Sequence, residues 1–120
     1  MEGMEELLKT FLEEYLGAIE QLEKERYKNA TILLSKALFA LCDFLIQQKL
    51  QKLPKNHSER FRILEKYYPN VYLTVDMIFT HYTDAYSQPI LQETCILIKN
   101  GIKTIAGTEN LPEEVKKIIR

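Results

Sequence analysis

The stretch Tyr27 to Leu50, YKNATILLSKALFALCDFLIQQKL, leaves a folding chain few options, because as a helix it is apolar over most of its circumference. Steps of three and four carry Tyr27, Ala30, Leu34, Ala37, Leu41, Phe44 and Gln48 down one face, and Ile32, Leu38, Phe39, Leu45 and Ile46 add apolar surface beside it. Only Asn29, Lys36, Asp43 and Gln47 remain as a narrow polar stripe. A helix of this kind has to be covered on most sides, at the centre of a bundle or in a subunit interface. Its small residues Ala30, Ala37 and Ala40 let neighbouring helices come close.

The segments on either side read as helices that supply the cover. Met4 to about Lys24 places Met4, Leu8, Phe11, Tyr15, Ile19 and Leu22 on one face, with the glutamates largely opposite. No glycine or proline marks the boundary to the central helix, so a turn near residues 24 to 27 follows from the change of apolar phase and from compactness. Pro54 ends the central helix, and Asn56 or Ser58 caps a third helix that turns Phe61, Leu64 and Tyr67 or Tyr68 inward and stops before Pro69. A fourth segment, Leu73 to Tyr86, aligns Met77, Ile78, Tyr82 and Ala85. Pro89 opens a fifth helix through Ile90, Leu97, Ile98, Ile102 and Ile105, which Gly107 is placed to end. Asn110 and Glu113 form a capping-box pattern before a short last helix with Val115, Ile118 and Ile119. No strand pattern competes, so the expected fold is an all-α, four- to five-helix up-and-down bundle in one domain spanning residues 1–120.

Composition excludes several classes of function. An apolar content of 46% is that of a soluble globular protein, and no uninterrupted apolar run approaches the roughly 20 residues of a membrane span. The start MEGMEELLKT is acidic and has no basic region leading into an apolar one, which points away from secretion and toward the cytoplasm. Cys42 and Cys95 sit in apolar helical patterns without metal-like spacing and read as buried free thiols. The scattered glycines form no phosphate loop, and neither a metal nor another cofactor is expected.

The net charge of −1 hides an uneven distribution. Glu2, Glu5, Glu6, Glu13, Glu14, Glu20, Glu23 and Glu25 make the first segment acidic. Lys49, Lys52, Lys55, Arg60, Arg62 and Lys66 reverse the balance against Glu59 and Glu65, with His57 among them. Lys52, Lys55, His57, Arg60 and Arg62 are therefore the candidate contacts for phosphate oxygens, arginine as a planar fork and lysine as a point charge. The plainer reading of the same residues is a solvated loop with a helix cap. His81 reads either as a satisfied boundary histidine or as a ligand or catalytic group, and the clustered tyrosines Tyr67, Tyr68, Tyr72, Tyr82 and Tyr86 either pack at the core edge or, where exposed beside the basic loop, stack on bases.

The passages Glu25-Arg26-Tyr27-Lys28-Asn29-Ala30 followed by Ala37-Leu38, the loop Pro54-Lys55-Asn56-His57, and His81-Tyr82-Thr83-Asp84-Ala85-Tyr86 together resemble the HEPN family, small all-helical domains found beside nucleotidyltransferases and in toxin–antitoxin systems, and the likeness spans about residues 8 to 106. It implies a helical bundle that pairs as a homodimer, a nucleotidyltransferase partner, and a nucleotide or RNA as ligand. Nuclease members carry an arginine four to six residues before a histidine. Neither His57 nor His81 has one, Lys52 giving only a lysine version across Pro54, and Ala85 stands where many relatives have arginine. The expectation is a non-catalytic HEPN-like interaction or nucleotide-binding module. A ribonuclease toxin with a degenerate site around His57 or His81 is the alternative from another class, and a plain helical adaptor is the third.

Overall fold

The structure, a computed structural model, describes residues 2–119. Among them the chain is all-α as expected but forms six α-helices, not four or five, and no strand: α1 (Glu2–Glu23), α2 (Tyr27–Leu50), α3 (His57–Tyr67), α4 (Pro69–Asp84), α5 (Gln92–Thr108) and α6 (Glu113–Ile119). The radius of gyration is 13.5 Å, that of a compact chain of this length.

Helix α2 is the centre expected from its apolar circumference, and Leu34, Leu38, Leu41, Leu45 and Ile46 on it are fully or almost fully buried. Helix α1 folds back along it, so that Gly3 lies beside Gln47 and Gly17 beside Leu33. Helices α3, α4 and α5 cover the remaining faces. The apolar surface of α2 is thus largely satisfied within one chain. As a whole helix it is nonetheless long and apolar enough to cross a membrane, although no uninterrupted apolar run in it is, and in this fold most of that apolar window is buried.

Several boundaries differ from the sequence reading, each for a local reason. The turn after α1 needs no glycine because Glu25 itself adopts the left-handed conformation at φ 58°. Its amide donates to Leu22 O at 3.0 Å and that of Arg26 to Gln21 O at 2.9 Å, the paired bonds of a Schellman motif. Helix α2 stops at a second left-handed residue, Gln51, ahead of Pro54. Pro69 opens α4 instead of lying outside it, since a first-turn position needs no amide hydrogen, and the helix ends at Asp84. Pro89 and Ile90 precede α5, which begins at Gln92. Gly107 lies inside α5, whose C-cap is the extended Glu109. The first bonds of α6 run to Pro112 O, so that helix starts beyond Asn110.

Two polar side chains in the core went unread in the sequence. Thr31 Oγ1 lies 3.3 Å from Cys95 Sγ and links α2 to α5, while Ser35 Oγ donates to Thr31 O at 2.8 Å. Both are fully buried, and these bonds satisfy them. Cys42 and Cys95 are free and buried, as expected.

Candidate functional site

The basic region does not form one site. It divides at Arg60, which points inward and is spent on the fold. Arg60 Nε and NH2 donate to Asp43 Oδ1 and Oδ2 at 2.7 and 2.8 Å, a bidentate bond between α3 and α2. Asp43 therefore leaves the solvent stripe that the sequence predicts for it. Burial works against the guanidinium charge, but the bond and charge of Asp43 outweigh it and raise the Arg60 pKa.

Arg60 also fixes His57. NH1 lies 2.7 Å from His57 Nδ1, and because a guanidinium can only donate, Nδ1 accepts and the ring proton resides on Nε2. Burial, and then the Arg60 charge, lower the His57 pKa against the opposing pull of Asp43. His57 is the first residue of α3, not a loop residue. Its ring packs against Phe39 and Phe79 at centroid distances of 4.9 and 5.0 Å, with Phe61 and Tyr82 at 6.4 and 6.1 Å. Such a neutral ring has no free lone pair with which to accept a proton from a nucleophile.

The positioning of this node begins with Asn56, whose side chain accepts the Glu59 amide at 2.9 Å and caps α3. That cap sets the helix phase, which sends His57, Arg60 and Ile63 or Leu64 toward the core and leaves Glu59, Arg62 and Lys66 toward the outer side. Between this outer side and the end of α2 lies a hollow of about 360 Å³, lined by Leu50, Lys52, Glu59, Arg62, Ile63, Lys66 and Tyr67. Lys52 and Glu59 are 4.0 Å apart and largely screened by water. At the rim the Tyr67 ring lies 5.9 Å from Lys49 Nζ and 5.3 Å from Lys66 Nζ.

Thus Lys52 and Arg62 share one hollow and are joined by Lys66, which the sequence reading counts in the basic run but not among the candidate contacts, and by Tyr67, one of the tyrosines it reads as able to stack on bases. The signal for Lys66 was its position one helical turn beyond Arg62. Lys55 is exposed in the loop before α3 and does not line the hollow. His81 is half-buried on α4. Tyr82 rests edge-on against Phe39 at 5.2 Å, beside His57 and not in the hollow, and its hydroxyl lies 3.4 Å from that of the exposed Tyr86. That bond first, and burial second, push the Tyr82 pKa up to about 12. Among the described residues no group of three His, Cys, Asp or Glu side chains is arranged to hold a metal ion. Comparison with protein families, curated proteins and solved structures finds no match to this chain.

Proposed function

We propose that this chain is a non-catalytic, HEPN-like up-and-down helical module that binds a phosphate-bearing ligand, a nucleotide or the backbone of RNA, in the hollow between α2 and α3. One observation carries the reading: Lys52, Arg62 and Lys66 converge on a single hollow with Tyr67 at its edge. Three cations around one hollow, against the single carboxylate of Glu59, offer an anion both a fork and point charges, and an exposed ring beside them offers a base a stacking surface. The nearest arginine–histidine pair, Arg60 with His57, is spent on Asp43 and on aromatic packing. That argues against the ribonuclease alternative, because cleavage needs a base with a free lone pair and a cation turned toward the phosphate.

A second feature favours a protein partner in addition. Leu73 and Met77, one turn apart on α4, are 64% and 49% exposed. Since α2 is covered within the chain, pairing of two chains or docking on a nucleotidyltransferase would use this face. Light scattering of a homodimer would report about twice the 14.1 kDa chain mass.

The experiment is a titration of fluorescein-labelled single-stranded RNA and of labelled ATP at low and moderate salt. The expected result is weak binding that falls as salt rises, by counterion release, and that is lost in the Lys52→Ala, Arg62→Ala, Lys66→Ala triple variant. Unchanged RNA after incubation is the expected outcome for chemistry. Binding that survives the triple variant overturns the site, and cleavage lost in His57→Ala overturns the non-catalytic reading.

A further inference from the structure

The chain has two glycines within α5, and they do opposite things. A Cβ built on Gly101 would stand 2.7 Å from Ile78 Cδ1 and 3.0 Å from Thr74 Cγ2, so any other residue here would force those two side chains to shift where α4 packs on α5. A Cβ on Gly107 would meet nothing within 4 Å. Nor does Gly107 adopt a positive φ, and the residue that ends the helix is Glu109. A glycine in a helix interior weakens it relative to alanine. At Gly107 neither steric fit nor backbone conformation offsets that loss.

What Gly107 leaves is open space in a hollow between α5 and α6 of about 370 Å³, lined by Lys103, Ala106, Gly107, Lys116 and Ile119. The geometry follows from helical spacing: Lys103, Ala106 and Gly107 share one face of α5, and Lys116 and Ile119 share one face of α6. Ala106 and Ile119 are 7% and 4% exposed and form an aliphatic floor. Lys103 and Lys116 have no ion-pair partner among the described residues. The volume is at the small end of the range for ligand pockets.

We propose that this hollow binds a medium-chain aliphatic carboxylate, its chain on Ala106, Gly107 and Ile119 and its head between Lys103 and Lys116. Two facts select this class. The lining holds no aromatic ring on which a base could stack, which separates it from the hollow at α2 and α3. Its two charges are both positive and sit over apolar groups, complementary to an amphiphile with one anionic end.

The test is titration of the ¹⁵N-labelled chain with sodium hexanoate, octanoate and decanoate, and with decanol, below their aggregation limits. Amide shifts should concentrate at residues 103–107 and 115–119, and each added methylene should tighten binding about threefold to fourfold until the hollow is filled. Gly107→Leu, which places aliphatic carbons in the open space, should weaken decanoate by about tenfold, equivalent to about two buried methylenes. Lys103→Gln with Lys116→Gln should bring decanoate down to the level of decanol. A melting temperature of Gly107→Leu no lower than that of the parent certifies the fold, and the lysine variant tests the site separately if it is lower. Equal binding of decanol and decanoate to the parent chain, shifts centred elsewhere, or full binding by a folded Gly107→Leu overturns the proposal.

Discussion

Asp43 on α2 and Arg60 on α3 meet through two near-parallel bonds of 2.7 and 2.8 Å, with side chains only 16% and 11% exposed. The pair is the main polar tie between the central helix and the basic helix, and Arg60 spends a third donor on His57. Removing either partner leaves the other charge partly buried. Asp43→Ala or Arg60→Ala should each cost about 2 to 4 kcal/mol, whereas the double variant should cost less than the sum of the two. Arg60→Lys should recover only part, because an ammonium cannot reproduce the fork. Urea melts of the four variants measure the coupling, and additive losses would mean that the pair contributes nothing as a pair.

Stability should depend on pH through His57. Its folded pKa lies below the ordinary value of 6.5 because of burial and the nearby Arg60. Between the lowered folded value and 6.5 the unfolded chain binds more protons, so stability rises with pH there. The contribution is full above 6.5 and is lost as pH falls through the lowered value. His57→Gln should flatten that segment of a stability-against-pH curve while leaving the carboxylate-driven loss at lower pH, and an unaltered curve would remove His57 as the cause.

The two glycines of α5 should respond with opposite signs to the same change. Gly101→Ala drives a methyl toward Ile78 and Thr74 in a packed crossing and should destabilise by about 1 to 3 kcal/mol. Gly107→Ala meets nothing and should stabilise by about 0.5 to 1 kcal/mol through helix propensity. Thermal melts of the two variants decide this, and a loss at Gly107 would contradict the open space described there.

Glu25 offers a gain of another kind. A non-glycine residue held at φ 58° in the Schellman turn bears the steric cost of a left-handed backbone. Glu25→Gly should raise stability by about 0.5 to 1 kcal/mol despite the greater freedom it gives the unfolded chain. A melting temperature that does not rise would show that the glutamate's own contacts outweigh the strain.

Helical period was the legible part of this chain. Apolar steps of three and four locate the helices and bury Phe11, Leu34, Leu41, Ile98 and Ile102 as expected, because burial of a face is written locally, whereas Met77, aligned by the same steps with Ile78, is 49% exposed because α4 turns that edge of its face away from the bundle. Tertiary pairing is not. Asp43 falls on the polar stripe of α2 by period, and only the arrival of α3 makes it a partner for Arg60. His57 looked like a solvated residue between cations, yet the Asn56 cap makes it helical and turns its ring onto Phe39 and Phe79. The anion site was legible as a region, with Lys52 and Arg62 within it. Its membership was not, since helix phase decides that Arg60 leaves it and Lys66 joins it.

The hairpin of α1 and α2 also bears on the order in which the molecule assembles. Its two helices, the longest in the chain, are joined by residues 24–26 alone, so their docking closes a very short loop. Contact between α2 and α5, at Thr31 and Cys95, must instead close a loop that contains α3 and α4. Low loop-closure entropy therefore favours early docking of the hairpin over the pairing of α2 with α5. In any partly folded chain on which α5 has not docked, the side of α2 that α5 covers is bare, and that surface is the one through which such chains would self-associate.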